Sequence, residues 1–372
     1  MIAVHQVTVA SKWARAYRQL ARELYAADPG APPAVSGRSD AATDDRHPFF
    51  GYGRGRRFIA VDGTRPVARV AAYLNPTARD RLGAAVGFVG HFEAQRDAAA
   101  ARLALDAACA WLADQGVAKV VGPVDFSIWH RYRLVSGGSD GAPFFLEPHN
   151  RPYYHELFEA GGFVPEHHYV SHRVVDPVAI VEKGRAAGER LRRAGYSLRP
   201  FDRRRFDAEL RLLHQLSGRT FVDNAYYTAC PYEEFCDLCA GLRQALPAGF
   251  AWFAHAPDGL AAGFVLGLPD LAGPLRAMRG RSGLNGAARF WWARRRVDTN
   301  IARALGVVPE HRLGGLGSWL LGAQQEQALR RGLTRTIHAP TIADQPARRL
   351  APGGAQPLRS YTLYCRGGAG AD

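Results

Sequence analysis

The sequence predicts an α/β fold of two similar units in tandem, each an α+β mixed sheet with flanking helices. Three observations predict it. The chain has 372 residues, comfortable for two domains when domains cluster near ~100–200 residues. Its hydrophobic content of 47% is enough to bury sizeable cores, which excludes a disordered chain. The local signals also run in the same order in both halves: hairpin, strand, helix, strand.

In the first half, residues 57–61 read as a strand, Asp62-Gly63 as a hairpin turn and residues 66–74 as the return strand. Residues 86–92 form a further strand. A helix is expected from about Asp97 to Asp114, with Leu103, Leu105, Ala108, Trp111 and Leu112 on a largely apolar face and Gly116 as its stop. Residues 117–121 follow as a strand. In the second half, residues 250–255 and 261–268 form the hairpin around Pro257-Asp258-Gly259, and residues 301–308 the next strand. A glycine-rich loop then leads into a helix from about Gly317 to Arg331, ended by Gly332, and Arg335 begins another strand.

These signals divide the chain into a first unit at residues 1–175, a polar linker at 176–198 and a second unit at 199–372. A loop of low order is expected at residues 28–46, rich in Pro, Gly, Ala, Ser and Asp. Residues 271–296 interrupt the second unit with a basic stretch in which Phe290-Trp291-Trp292 lies among arginines.

No run of 18 or more uncharged apolar residues exists, so a membrane span is excluded. The N-terminus has no basic segment ahead of an apolar core and is not expected to be a secretory signal. Five cysteines, an odd number in a long chain, make no disulfide framework and fit reduced thiols in a cytoplasm. Lys+Arg 48 against Asp+Glu 34 leaves a net charge of +14. Only Lys12, Lys119 and Lys183 are lysines, which reads as the codon bias of a GC-rich genome. The net excess is a separate matter and points to a polyanionic partner.

The sharpest local signal is Val307-Val308-Pro309-Glu310-His311-Arg312-Leu313-Gly314-Gly315-Leu316-Gly317-Ser318, where a strand passes into a helix. Glycines there let backbone approach a ligand, and the amides of the first helical turn with the helix dipole form an anion site suited to a pyrophosphate. It is not a Walker loop, lacking Gly-Lys-Ser/Thr, nor a Rossmann fingerprint.

Arg312-x-x-Gly315-x-Gly317 resembles the Q/R-x-x-G-x-G/A pyrophosphate loop of the GNAT acyltransferase superfamily, and the order of the surrounding elements agrees. The resemblance implies two GNAT-like domains in tandem. It also implies donor binding by Arg312, Gly314, Gly315, Leu316, Gly317 and Ser318. It covers most of residues 47–366 and is similar to two-copy bacterial GNAT-like proteins. The corresponding loop of the first half, Glu93-Ala94-Gln95-Arg96-Asp97-Ala98, has no glycine and two carboxylates. That half is expected to be a scaffold or acceptor-binding unit. In the second unit, residues 342–350 lack the superfamily's usual Asn, and Pro346 shortens the expected helix.

Amide formation requires an amine to lose a proton and a donor carbonyl to be polarised. Asp223, Asp344 and Tyr361 are the catalytic candidates, with Glu310 and Tyr364 behind them; Asp223 ranks first because its loop would face the acceptor. No metal site is expected: Cys230, Cys236 and Cys239 lack a fourth ligand in a stretch, 233–242, that reads as a helix. His167, His168 and His172 read as polar packing.

Two donors fit the architecture. The charge, with Arg203-Arg204-Arg205 and Arg294-Arg295-Arg296 as nucleic-acid contacts, favours aminoacyl-tRNA, the donor of the Fem-type branch of two-unit GNAT-like folds. The superfamily's prevailing donor is acyl-CoA, a co-substrate rather than a resident cofactor. The acceptor is expected to be the amine of a small molecule. A third reading is an inactive duplicate that binds RNA or protein.

Overall fold

β-hairpins with Asp-Gly or Asp-Gly-like turns and long apolar strands dictate most of the sheet structure of this chain. In the computed structural model, residues 1–28, 30–31, 44–138, 141–278, 280, 283–312, 314–342 and 354–367 are described. They divide into two units. Unit 1 is Met1–His168 with Asn224–Thr228 and Tyr361–Asp372; unit 2 is Tyr169–Asp223 with Ala229–Ser360.

Unit 1 contains β1 (Ile2–Val7), α1 (Ala14–Tyr25), β2 (Arg54–Asp62), β3 (Arg65–Arg79), β4 (Ala85–Ala94), α2 (Ala98–Ala113), β5 (Lys119–Gly122), β6 (Leu134–Gly137), α3 (Tyr154–Ala160) and the start of β7 (Val164–Val174). β1 to β4 pair antiparallel in sequence order, and β4 pairs parallel with β5. β4 is almost wholly buried along its length, as a strand covered on both faces must be. Helix α2 contributes Ala104, Leu105, Ala108 and Leu112 to the core against β2 and β3 residues. Leu103, expected on that face, is exposed instead: at about 100° per residue it lies on the side opposite Leu105.

Unit 2 contains the rest of β7, α4 (Pro177–Arg193), β8 (Ser197–Pro200), α5 (Phe206–Thr220), α6 (Tyr232–Leu238), α7 (Leu242–Ala245), β9 (Ala251–His255), β10 (Ala261–Pro269), α8 (Ala272–Ala277), α9 (Leu284–Arg294), β11 (Thr299–Val307), α10 (Leu316–Arg330), β12 (Arg335–Ile342) and the start of β13 (Ala355–Gly367). β8 to β11 pair antiparallel in order, β11 pairs parallel with β12, and β12 pairs antiparallel with Tyr169–Arg173 of β7. The order repeats that of unit 1, where the last place is taken by Tyr364–Gly367 of β13, antiparallel to β5. The strand that completes each sheet therefore comes from the other half of the chain. Contiguous domains at 1–175 and 199–372 do not describe this arrangement.

The expected linker is also corrected. Asp176 caps α4 by accepting from the amides of Val178 and Ala179, and Pro177 starts the helix. Its charges hide a helical stripe of Ile180, Gly184, Ala187 and Leu191, all buried. A Cβ on Gly184 would lie 2.7 Å from Gly322 Cα, so α4 and α10 meet backbone to backbone. The helix read at 233–242 is broken into α6 and α7 around Cys239. The loop expected at 28–46 falls largely on residues outside those described.

Candidate active site

The glycine loop of unit 2 follows β11 through a 3-10 turn at Pro309–His311. Gly315 sits at the N-cap of α10 with φ 91°, the left-handed region that favours glycine. No side chain caps this helix, so the amides of Leu316, Gly317 and Ser318 open a helix start that carries partial positive charge. Arg190 of α4 stands beside it: a Cβ on Gly315 would lie 3.1 Å from Arg190 Nη2. Unit 1 differs at the matching helix. The Asp97 carboxylate accepts from Ala100 N at 3.0 Å and caps α2, placing a negative charge where an anion would have to sit. A helix start with a nearby guanidinium attracts a phosphate, and one capped by a carboxylate repels it.

Helix α10 is held at a fixed angle by a buried amide network. Asn300 Nδ2 donates to Gln324 Oε1 at 3.2 Å and Gln324 Nε2 returns a bond to Asn300 Oδ1 at 2.9 Å. Thr336 Oγ1 donates to Gln325 Oε1 at 2.8 Å. Gly267 leaves the room for it, since a Cβ there would lie 2.2 Å from Gln324 Nε2.

The two parallel strands beneath the loop part early. Pairing of β11 with β12 runs from Thr299–Arg335 to Ala302–His338, while the strands continue to Val307 and Ile342. At the fork lies His338, whose Nε2 is buried without a hydrogen-bond partner. Burial, with His172 alongside, pushes its imidazole down to about 4, so the ring stays neutral and able to accept a hydrogen bond.

The matching fork of unit 1 is closed. Val124 N donates to Val89 O at 2.7 Å, and a Cβ on Gly90 would lie 2.1 Å from Val124 O. A buried polar cluster occupies the place. Tyr73 Oη lies 2.6 Å from His91 Nδ1, and Asp125 Oδ1 accepts from His91 N at 2.5 Å. Arg131 Nε donates to Asp125 Oδ2 at 3.0 Å, and Tyr154 Oη donates to Glu93 Oε2 at 2.7 Å. Burial pushes His91 down to about 3. Burial alone would raise Asp125, but Arg131 and His91 hold it at about 2. His91, Phe126 and Arg133 all take positive φ (46°, 61° and 67°), strain on the order of 1–3 kcal/mol each. Glu93, Arg131, Arg133 and Tyr154 line an adjoining crevice of about 20 Å³, room for little more than one water molecule. Strained backbone and a neutral buried histidine with satisfied partners mark a tightly specified polar core.

The residues expected from sequence are partly brought together. Arg312 Nη1 donates to Asp223 Oδ2 at 2.8 Å, its Nη2 to Thr220 O at 3.1 Å and its Nε to Val307 O at 3.2 Å. The arginine is thus a brace between the loop and the end of α5. Glu310 pairs with Arg219 at 3.4 Å. Tyr361 is not in the second unit: it is fully buried in unit 1 and donates to Glu147. Asp344 lies outside the described residues. Arg203, Arg204 and Arg205 form an exposed 3-10 turn capped by Asp202; Arg294 is the last residue of α9, with Arg295 and Arg296 following it. Arg190, His338 and Tyr73 escape a reading of the sequence; His91 and Asp125 lie in the stretches 87–93 and 122–127, which resemble those of two-copy bacterial GNAT-like proteins but carry no role from sequence alone.

No family model matches the chain. A bacterial ceramide synthase of Caulobacter vibrioides (strain NA1000 / CB15N) is 27% identical over 324 residues, covering 85% of this chain and 84% of that protein. Protein YghO of Escherichia coli (strain K12) is 22% identical over 369 residues, covering 94% of this chain and 92% of that protein. Among solved structures, a tandem GNAT protein from the clavulanic acid biosynthesis pathway matches with a TM-score of 0.56 at 15% identity, covering 100% of both chains. The chain has the fold of a tandem GNAT protein.

Proposed function

We propose that the chain is an N-acyltransferase whose unit 2 takes an acyl thioester of coenzyme A and passes the acyl group to an amine. The observation that carries this reading is the uncapped start of α10 beside Arg190, set against the carboxylate-capped start of α2. A pyrophosphate seated there would leave the pantetheine arm to run along the unpaired edge of β11, as an extended chain does on an open strand.

In the reaction, the amine nitrogen attacks the thioester carbonyl, the carbon–sulfur bond breaks, and the amide forms as nitrogen loses a proton and the thiolate gains one. His338, neutral at the fork, is the group assigned to accept a hydrogen bond from the amine and orient its lone pair toward the carbonyl, the proton itself passing to solvent. The likeness to a ceramide synthase suggests the acceptor: a long-chain amino alcohol.

Aminoacyl-tRNA remains the second reading, favoured by the net charge of +14 and the two arginine triplets. The full chain is to be incubated with a long-chain acyl-CoA and a long-chain amino alcohol, with RNase present, and the products read by mass spectrometry. An N-acylated product supports the coenzyme A reading. Product formed only from charged tRNA, and abolished by RNase, overturns it.

A further inference from the structure

Helix α9 of unit 2 exposes side chains that a folded chain normally covers. Leu284 is 90% exposed, Trp291 60% and Trp292 58%. At about 100° per residue, Leu284, Ala288 and Trp291 fall within roughly 60° of one another and Trp292 borders them. The opposite side holds Gly286, the helix's buried residue, with Phe290 and Ala293 half-buried. Apolar side chains therefore lie on the solvent side as well as on the packed side, which a surface helix of a globular protein ordinarily avoids. Arginines surround it: the Arg294 guanidinium lies 5.0 Å from the Trp291 ring centre and that of Arg296 3.8 Å from the Trp292 ring, with Arg289 exposed to one side and Arg295 exposed just past the C-terminal end of the helix.

Apolar and indole groups on one face with arginines at its margins match the chemistry of a membrane boundary, where indole rings sit at headgroup depth and guanidinium groups meet lipid phosphates. A single-stranded nucleic acid would also use arginines beside stacking aromatics, but it has no use for the exposed Leu284. We propose that α9 docks unit 2 on the surface of a bilayer rich in anionic phospholipid. Leu284, Trp291 and Trp292 enter the boundary between headgroups and acyl chains, and the arginines pair with phosphates. The helix lies on the membrane and does not span it; among the described residues no helix is long and apolar enough to cross one. The inference stands on this helix alone and not on the identity of the acyl donor.

The test is co-sedimentation of the full chain with vesicles of phosphatidylcholine, with and without about one third phosphatidylglycerol. The wild type is expected to partition to the anionic vesicles only. Each arginine near an anionic surface raises partitioning roughly five-fold, so replacing Arg294, Arg295 and Arg296 by glutamine should lower it on the order of 100-fold. Trp291→Ser with Trp292→Ser should lower it by about tenfold or more while leaving melting, and acyl transfer to a water-soluble amine without vesicles, unchanged. Those transfer assays separate a failed docking helix from a failed reading of the enzyme. Wild-type chain that ignores anionic vesicles overturns the proposal, as does equal partitioning of the tryptophan variant. Loss of tRNA affinity in the arginine variant, without any vesicle binding, would reassign α9 as an RNA contact.

Discussion

Arg312 Nη1 donates to Asp223 Oδ2 across 2.8 Å, so the arginine of the glycine loop and the carboxylate following α5 form one exposed ion pair in unit 2. Both side chains reach solvent, and such a pair contributes only about 0–1 kcal/mol. If Asp223 serves as this arginine's partner, Asp223→Asn should keep kcat within a few-fold and leave donor KM unchanged or lower, since Arg312 gains freedom to meet a phosphate. A kcat loss of 100-fold or more would mark Asp223 as the general base instead.

Arg190 is expected to serve the donor and little else. Arg190→Gln should raise donor KM by roughly tenfold, an order appropriate to one charge-assisted phosphate contact, without moving the melting temperature. Steady-state kinetics at varied acyl-CoA concentration, with a thermal melt as control, read both. An unchanged KM would remove Arg190 from the donor site.

The buried amide network fixes the axis of α10. Asn300→Ala strips Gln324 of its reciprocal partner and leaves buried amide groups unmade, at a cost of about 1–3 kcal/mol for each orphaned group. Denaturant unfolding should show that loss, with donor KM rising as the helix start shifts. Full stability in the variant would mean that water repairs the gap.

Protonation offers a further check. His338 and His91 are held at about 4 and about 3, below the usual imidazole value, so unfolding lets them bind protons. Their contribution to stability is complete above about pH 6.5 and is lost as pH falls from there through 4 and 3. Melting temperature should drop between pH 7 and pH 4, and His91→Gln should flatten part of that slope. An unaltered slope would show that His91 does not titrate on unfolding.

How much of this was legible in the residues depends on whether the signal is local. The hairpins at Asp62-Gly63 and Asp258-Gly259, strands β4 and β11, and the Gly315 turn were readable, because turn chemistry and apolar runs act within a few residues. Helix α4 was not: its stripe of Gly184 and Ala187 gains meaning only against Gly322 and Gly315 of α10. Tyr361 was placed in the wrong unit because strand exchange is a property of topology, which no local pattern encodes. His338 reads only as one residue of the strand that begins at Arg335 until the point where β11 and β12 stop pairing is known.

The most direct test of the central claim compares coenzyme A binding, by titration calorimetry, in the wild type, Gly315→Asp and Gly315→Asn. Asp and Asn share a shape and both tolerate the left-handed backbone better than other side chains, so their difference isolates charge. Gly315→Asp places a carboxylate at the start of α10, as Asp97 does for α2. The account predicts that wild type binds coenzyme A, that Gly315→Asn binds it moderately less well, and that Gly315→Asp binds it at least about tenfold more weakly than Gly315→Asn. Equal affinity of the Asp and Asn variants, or no binding by the wild type, would contradict it.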